Sequence, residues 1–232
     1  MSTTGRIPLA LLILVPSAAA LATAPTAYEV DPAHSTVRIA LLDSQQSFEA
    51  SISNLAGNVR LSGDQLTPSS LDLVFDLAAL DSGTSSLDEL LRGRRYFWVD
   101  RHPYGLTFAT DVRATGLETF QADTTLALRD MSCKEPVTFN WRVAIEGGQS
   151  VGYFHGTTRV DARDFRIQSA DAWHQVMTIT YDLLLTPVPG KVRPVTRWRP
   201  DTEWDTDAWP PPRCSFASWS AGAFSPEAVR VR

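Results

Sequence analysis

The side chains best able to exchange a proton near neutral pH are four histidines, His34, His102, His155 and His174. No two stand at i, i+2 or i, i+4, the spacings that bring two imidazoles onto one face of a strand or a helix, so a metal centre is not expected. His34 precedes Ser35 and follows Asp31 at a short distance, which invites a Ser/His/Asp reading. Adjacent residues of a strand point to opposite faces, however, so His34 and Ser35 cannot readily bond to each other. The G-x-S-x-G elbow that presents a nucleophilic serine is missing from the sequence, as are a glycine-rich phosphate loop and a C-x-x-C-H haem motif. Asp31 and His34 are better suited to fixing how the chain turns into its first strand. A second group is cationic. Arg92, Arg94 and Arg95 could together hold a phosphate or carboxylate head group, or could simply pair in water with Asp88, Glu89 or Asp100. Third, Cys133 and Cys214 are the two cysteines. An oxidising compartment permits a bridge between them; two unrelated thiols is the alternative, since sequence gives no distance.

The elements that must position these groups are legible in the hydrophobic pattern. The chain has 232 residues, 44% of them apolar, and a net charge of −5. That suffices for one sizeable core. There is no long basic run and no basic stripe interleaved with aromatics, so nucleic acid is not an expected partner. Residues 1–22 read as a cleaved signal peptide: Arg6, then the apolar Ile7–Val15, then the small-x-small Ala20-Leu21-Ala22. Pro8 and Pro16 argue against a retained membrane anchor. The mature chain would then start near Thr23 and work outside the cytoplasm.

From Tyr28 to Pro187 the pattern has period 2. One face carries Leu71, Leu73, Phe75 and Leu77, with Asp72 and Asp76 opposite. A later run sets Val137, Phe139, Trp141, Val143 and Ile145 against Thr138, Asn140, Arg142 and Glu146. Another puts Met177, Ile179, Tyr181, Leu183 and Leu185 together. Eight strands are expected, near 35–43, 47–61, 70–79, 104–115, 118–130, 136–147, 150–164 and 173–186. Short turn-rich links between them suggest an antiparallel meander closed into an all-β barrel, which leaves no sheet edges; a β-sandwich is the alternative. The run Leu80–Phe97 interrupts the pattern. Leu87, Leu90 and Leu91 fall at helical spacing after candidate caps at Asp81, Ser82 or Thr84, and Gly93 ends the helix. So short a helix is unstable alone. Its leucines must pack on apolar surface, and the barrel mouth offers it, so the helix is expected to act as a lid. Gly83 and Gly93 flank it as hinges. Residues 188–232 differ again, with seven of the 15 prolines and four of the seven tryptophans. They carry seven Lys and Arg against five Asp and Glu, whereas residues 23–187 carry 13 against 21. This gives three parts: 1–22, a barrel over 23–187, and a Pro/Trp-rich tail over 188–232.

Several stretches resemble the YceI-like family. "YEVDPAHSTVRIAL" is similar to that family's first strand, with Asp31, His34 and Ser35 in its characteristic places. In "LDSGTSSLDELLRGRRYFWVDRHPYGLTFAT", Asp81-Ser82-Gly83 stands for a D-T-G. Asp88, Leu91 and Arg92 match a D-x-x-L-R helix, Tyr96-Phe97 the paired aromatics, His102-Pro103 the residues before the next strand, and Thr107-Phe108 a T-F. In "TTLALRDMSCKEPVTFNW", Leu126, Leu128, Lys134, Pro136 and Val137 are in register with the family hairpin. Arg163, Asp164, Phe165 and Ile167 resemble R-x-D-F-G-I, with Arg166 where glycine is common.

The resemblance spans about residues 28–187 and implies an eight-stranded, lipocalin-like antiparallel barrel with a helix at one end. It further implies non-catalytic binding, transport or storage of a long apolar isoprenoid-type lipid or related amphiphile, polyprenyl or quinone-like, with no cofactor. The lining would then come from Leu73, Phe75 and Leu77; from Leu87, Leu90, Leu91 and Phe97; and from Phe108, Phe139, Trp141, Val143, Met177, Ile179 and Tyr181. Arg92, Arg94 and Arg95 would face the head group. Transient membrane contact and a homodimer are compatible partner modes. A hydrolase or isomerase acting on a similar lipid, with His34, His155 or His174 as base, is the alternative; the sequence shows no paired acid and base to favour it.

Overall fold

Alternating side chains require a sheet with one dry face, and the chain supplies it by closing that sheet into a ring. The computed structural model describes residues 27–42, 47–62, 67–167, 176–188 and 214–216. The proposed signal segment, His174 and most of the tail lie outside them. Strand β1 comprises two segments, Ala27–Val30 and Thr36–Leu42, and β2 comprises Ser47–Ile52 and Leu55–Leu61. β3 is Pro68–Asp76, with a short extension at Leu80–Asp81. Then follow β4 (Tyr104–Ala114), β5 (Thr119–Leu128), β6 (Met131–Glu146), β7 (Gln149–Asp161) and β8 (Val176–Pro187). A short piece, β9 (Cys214–Phe216), pairs with the start of β6. Each of the eight long strands pairs antiparallel with the next, and β1 pairs with both β2 and β8, so the meander closes into a barrel. The expected all-β class and strand count are therefore observed. Boundaries differ at several places: Ala27–Val30 is an additional first segment, too short to show a period, β6 begins at Met131 rather than near 136, and β3 and β7 end at Asp76 and Asp161 in 3-10 turns rather than running to 79 and 164.

The break in β1 explains the Asp31, His34, Ser35 motif. A 3-10 turn, Pro32–His34, interrupts the strand. Asp31 caps it by accepting from Ala33 N at 3.0 Å and from His34 Nδ1 at 2.8 Å. The His34 hydrogen bond holds the Asp31 carboxyl below the usual carboxylate range. Ser35 is buried. Its hydroxyl donates to Leu184 O and accepts from Leu184 N, at 3.2 and 3.0 Å, replacing ladder bonds that the turn removes from the β1–β8 seam. This serine is a joint in the wall.

Inward positions of β3, β6 and β8 follow the expected alternation: Leu71, Leu73, Phe75, Val137, Phe139, Trp141, Met177, Ile179, Tyr181, Leu183 and Leu185 are buried in one core, joined there by Phe120 and Leu126 of β5 and Phe154 of β7. On β4 the parity is the reverse of the simplest reading. Gly105, Thr107 and Ala109 face inward, while Leu106 and Phe108 face out. The inward face must be small there, because a Cβ on Gly105 would overlap the Phe75 ring. Phe108 therefore does not line the lumen. Ile145 is 72% exposed, since the β6–β7 hairpin extends past the barrel rim, and Val143 is only half-buried.

Candidate functional site

The inward face is mainly apolar, and aromatic rings from β5 to β8 pack against one another on it. Phe120 stacks on Phe139 with centroids 5.6 Å apart, Phe139 on Phe154 at 4.6 Å, and Phe154 meets Tyr181 edge-on at 6.5 Å. Together the rings form a column along the inner wall of four consecutive strands, β5 to β8. The Tyr181 hydroxyl is fully buried and hydrogen-bonds Thr107 Oγ1 at 2.9 Å. Burial raises its pKa far above the ordinary phenol range. Trp141 closes one end against Tyr28, centroids 5.4 Å apart and ring planes near perpendicular. Thr124 Oγ1 is buried without a hydrogen-bond partner. Leu73, Phe75, Leu77, Phe97, Phe139, Trp141, Met177, Ile179 and Tyr181, all expected as lining, sit in this one core.

The other end is closed by helix α1 (Ser85–Arg92) and the loop that follows it. The residues of the D-x-x-L-R pattern divide the work. Asp88 accepts from Ser82 N at 2.7 Å and Ser82 Oγ at 2.6 Å, and these bonds hold its carboxyl below the usual range. Leu91, 2% exposed, enters the core. Arg92 donates to Leu80 O and lies 3.9 Å from Asp88, tying the helix to the β3 extension. Leu87 is half-buried against the core, but Leu90 is 44% exposed. The expectation of a three-leucine stripe is corrected: Leu87 and Leu91 share one line at i, i+4, and Leu90, a residue apart from Leu91, turns about 100° away. The missing contact comes from the loop. Tyr96, Phe97 and Val99 are buried, and Tyr96 meets Phe48 edge-on at 6.4 Å. The N–H of Phe97 donates to Leu91 O at 3.0 Å and that of Val99 to Arg92 O at 2.9 Å, so helix and loop form one plug.

On the outer side of this plug the cations converge. Trp98, held at φ 49°, has the guanidinium carbons of Arg94, Arg101 and Arg129 at 5.1, 5.0 and 5.8 Å from its ring centroid. Burial lowers the pKa of Arg129, Asp130 opposes that shift, and Arg166 and Arg94 add to it. Asp130 is paired with Arg166 at 2.9 Å. Of the expected head-group residues, Arg94 belongs to this cluster, Arg92 is a structural tie, and Arg95 is exposed. Arg101 and Arg129 were not legible as partners of Arg94, because Arg129 reaches Trp98 only through the β5–β6 turn. The resemblance to the family placed glycine at 166, and Arg166 indeed adopts a left-handed φ of 57°.

The described histidines lie away from the lumen. His34 is bound to Asp31, and His155 Nδ1 is 2.5 Å from Asp182, which also pairs with Arg38 at 2.7 Å, on the outer wall. His102 packs edge-on against Trp98 at 5.6 Å, and burial lowers its pKa. Among the described residues no three His, Cys, Asp or Glu side chains gather as a metal site, and no helix is long and apolar enough to cross a membrane. Cys133 and Cys214 are bridged.

Comparison with known proteins adds the following. The YceI-like domain family matches residues 28–185. No curated protein matches the chain. Burkholderia cenocepacia BcnA is similar in structure, with a TM-score of 0.58 at 17% identity over 67% of this chain and 98% of that one. The Campylobacter jejuni YceI protein gives 0.55 at 12% identity over 60% and 85%. A polyisoprenoid binding domain from Saccharophagus degradans, implicated in plant cell wall breakdown, gives 0.54 at 11% identity over 71% and 99%. At these identities the likeness shows the fold.

Proposed function

The chain belongs to the YceI-like family, and from that premise we propose that it is a non-catalytic, periplasmic carrier or store of one long apolar isoprenoid-type lipid, held in the barrel with its polar head at the plugged end. The observation that carries this reading is the juxtaposition at that end. A plug of Leu91, Tyr96, Phe97 and Val99 seals the apolar lumen, and Arg94, Arg101 and Arg129 surround Trp98 outside it. An apolar chain needs the first and an anionic or strongly polar head group the second. The similar Saccharophagus degradans domain, described as polyisoprenoid binding, supports the ligand class. Because Phe120, Phe139 and Phe154 are buried and stacked on the inner face, uptake of a chain between the strands calls for the plug and part of this column to move. Native mass spectrometry of protein matured in a bacterial periplasm tests the reading. One intact lipid per chain supports it; an empty chain under conditions that retain lipid in other carriers, or a chemically altered lipid, overturns it.

The plug separates two leucines that sequence treats alike. Leu91→Ser is expected to speed lipid release about tenfold or more, since burying a leucine contributes roughly 1.5–3 kcal/mol. Leu90→Ser should leave the rate unchanged, because that side chain already faces water. Stopped-flow release to acceptor vesicles, with circular dichroism as the fold control, decides it; equal rates in the two variants would make the helix a passive stopper.

For the head group, Arg94→Gln with Arg101→Gln should weaken binding of a polyprenyl phosphate by about tenfold for each lost charge-assisted hydrogen bond. The matching polyprenol should be unaffected. If alcohol and phosphate lose affinity equally, the arginines hold the plug rather than the ligand.

A further inference from the structure

A barrel wall facing water should show exposed outward positions, and much of this one does: Arg38, Lys134, Asn140 and Arg159 are open. On β2 to β6 six outward positions are instead buried: Asn58, Asp72, Val74, Leu106, Ala127 and Ser132. Their direction is set by alternation, since Val59, Leu71, Leu73, Phe75, Leu126 and Cys133 beside them belong to the core inside. They are not scattered. Asn58 lies opposite Asp72, Val74 opposite Leu106, Leu106 opposite Ala127, and Ala127 opposite Ser132. The six thus form one diagonal strip across the outside of β2 to β6. Val74, Leu106 and Ala127 make a separate apolar cluster there, against which Tyr104 packs.

The strip joins two fixed points of the chain. At one end Val188 N donates to Ala27 O at 3.0 Å, and Ala27 pairs with Arg60, next to Asn58 on that outer face. At the other, Ser215 pairs with Ser132 and Cys214 is bridged to Cys133. Residues 189–213 must connect these points. At about 3.3 Å per residue they reach roughly 80 Å, whereas crossing from β2 to β6 takes about 20 Å at the usual strand spacing. The segment holds Pro189, Pro194, Pro200 and Pro210–Pro212, which suits a chain lying on a sheet face rather than adding to its ladder. It also holds Trp198, Trp204 and Trp209, which suit apolar cover. On the strip, the Asn58 amide, Asp72 Oδ1 and Ser132 Oγ are buried without hydrogen-bond partners, and polar groups in that state call for a polar covering chain.

We propose that residues 189–213 lie across the outer wall of β2–β6 as an intramolecular brace, seated on the strip from Asn58 to Ser132 and pinned beyond it by the Cys133–Cys214 bridge. The brace covers the side on which β4 turns its large apolar residues, Leu106 and Phe108, to the outside. Burial also raises the Asp72 carboxyl pKa, opposed by Arg60 at 3.5 Å. Basic side chains of the segment, Arg197 and Arg199 among them, would add to the positive charge that Arg60 already places beside Asp72.

The test places a photoreactive p-benzoylphenylalanine at Phe108, an outward, half-buried position opposite Asp72, in the full-length oxidised protein. Irradiating an equal mixture of isotopically heavy and light protein and mapping the linked peptides is expected to give same-chain links from position 108 into 189–213. Links joining heavy to light chains would mean that a second copy covers the strip, and links to 1–26 or 217–232 would mean another segment does; these outcomes, or no link at all, overturn the proposal. Should that variant not fold, trypsin on the unmodified protein decides. Cleavage after Lys191 and Arg197 is expected to be at least about tenfold slower than in the unfolded chain. Cleavage at the unfolded-chain rate, with the rest of the barrel intact, overturns the proposal.

Discussion

Phe139→Ala is expected to lower the unfolding free energy by about 3–5 kcal/mol, the usual cost of deleting a buried phenyl ring. Phe139 stands between Phe120 and Phe154 in the aromatic column, so its loss also removes ring contacts on both sides. Urea denaturation should show the midpoint falling with an unchanged slope, the sign of lost stability rather than an altered unfolded state. The vacated volume lies inside the lumen, where an apolar cavity attracts apolar guests. A folded Phe139→Ala protein is therefore expected to take up lipid at least as fast as the unmodified chain while being less stable. A loss of under about 1 kcal/mol would show that the column is not a packed element. A stable fold that has lost lipid uptake would place the ligand somewhere other than the lumen.

Removing the Cys133–Cys214 bridge by Cys133→Ala with Cys214→Ala is the other large effect. The bridge spans 81 residues, and loop-closure entropy for that length gives an upper figure of about 4.5 kcal/mol, with 2–4 kcal/mol typical. Denaturation with and without reductant should reproduce the double substitution, and reduction should add two hydrogens to the mass. Tryptic digestion of the oxidised protein should yield one linked peptide pair. A protein whose denaturation midpoint does not respond to reductant would show that the bridge fastens β9 to β6 without bearing on the barrel's unfolding. Alanine rather than serine is the substitution of choice at 133, because that position is buried and a hydroxyl there would need a partner.

The reach of sequence reasoning here follows the range over which side chains act. Period 2 is a property of neighbours in the chain, so the inward faces of β3, β6 and β8 were legible, as was the helix from its leucine spacing. Where the face depends on what sits across the barrel, the pattern misled. Leu106 and Phe108 look like the inward set of β4, but the Phe75 ring opposite leaves room only for Gly105, and Tyr181 finds its hydrogen bond at Thr107. Ile145 continues the apolar phase of β6 beyond the rim, where no core remains. The cation site was half visible. Arg94 stood out beside its neighbours, while Arg101 and Arg129 become its companions only when the loop folds back around Trp98. The Cys133–Cys214 pairing could not be read from spacing, since it requires β9 to align beside the start of β6.

The seam between β1 and β8 has a kinetic consequence. Tyr28 sits opposite Pro187 and Val30 opposite Leu185, so the two ends of the domain must meet before the ring exists. At a synthesis rate of 5–20 residues per second, β1 emerges roughly 8–30 s before its partner. For that interval both flanks of the growing meander are bare strand edges, the surfaces most prone to pair with another chain. Contacts at such large sequence separation also slow folding, because the entropy of closing the loop is spent before any pairing offsets it. The ring can close only after Pro187 has been added, and the Cys133–Cys214 bridge, 27 residues further on, can only follow the pairing of β6 that presents Cys133.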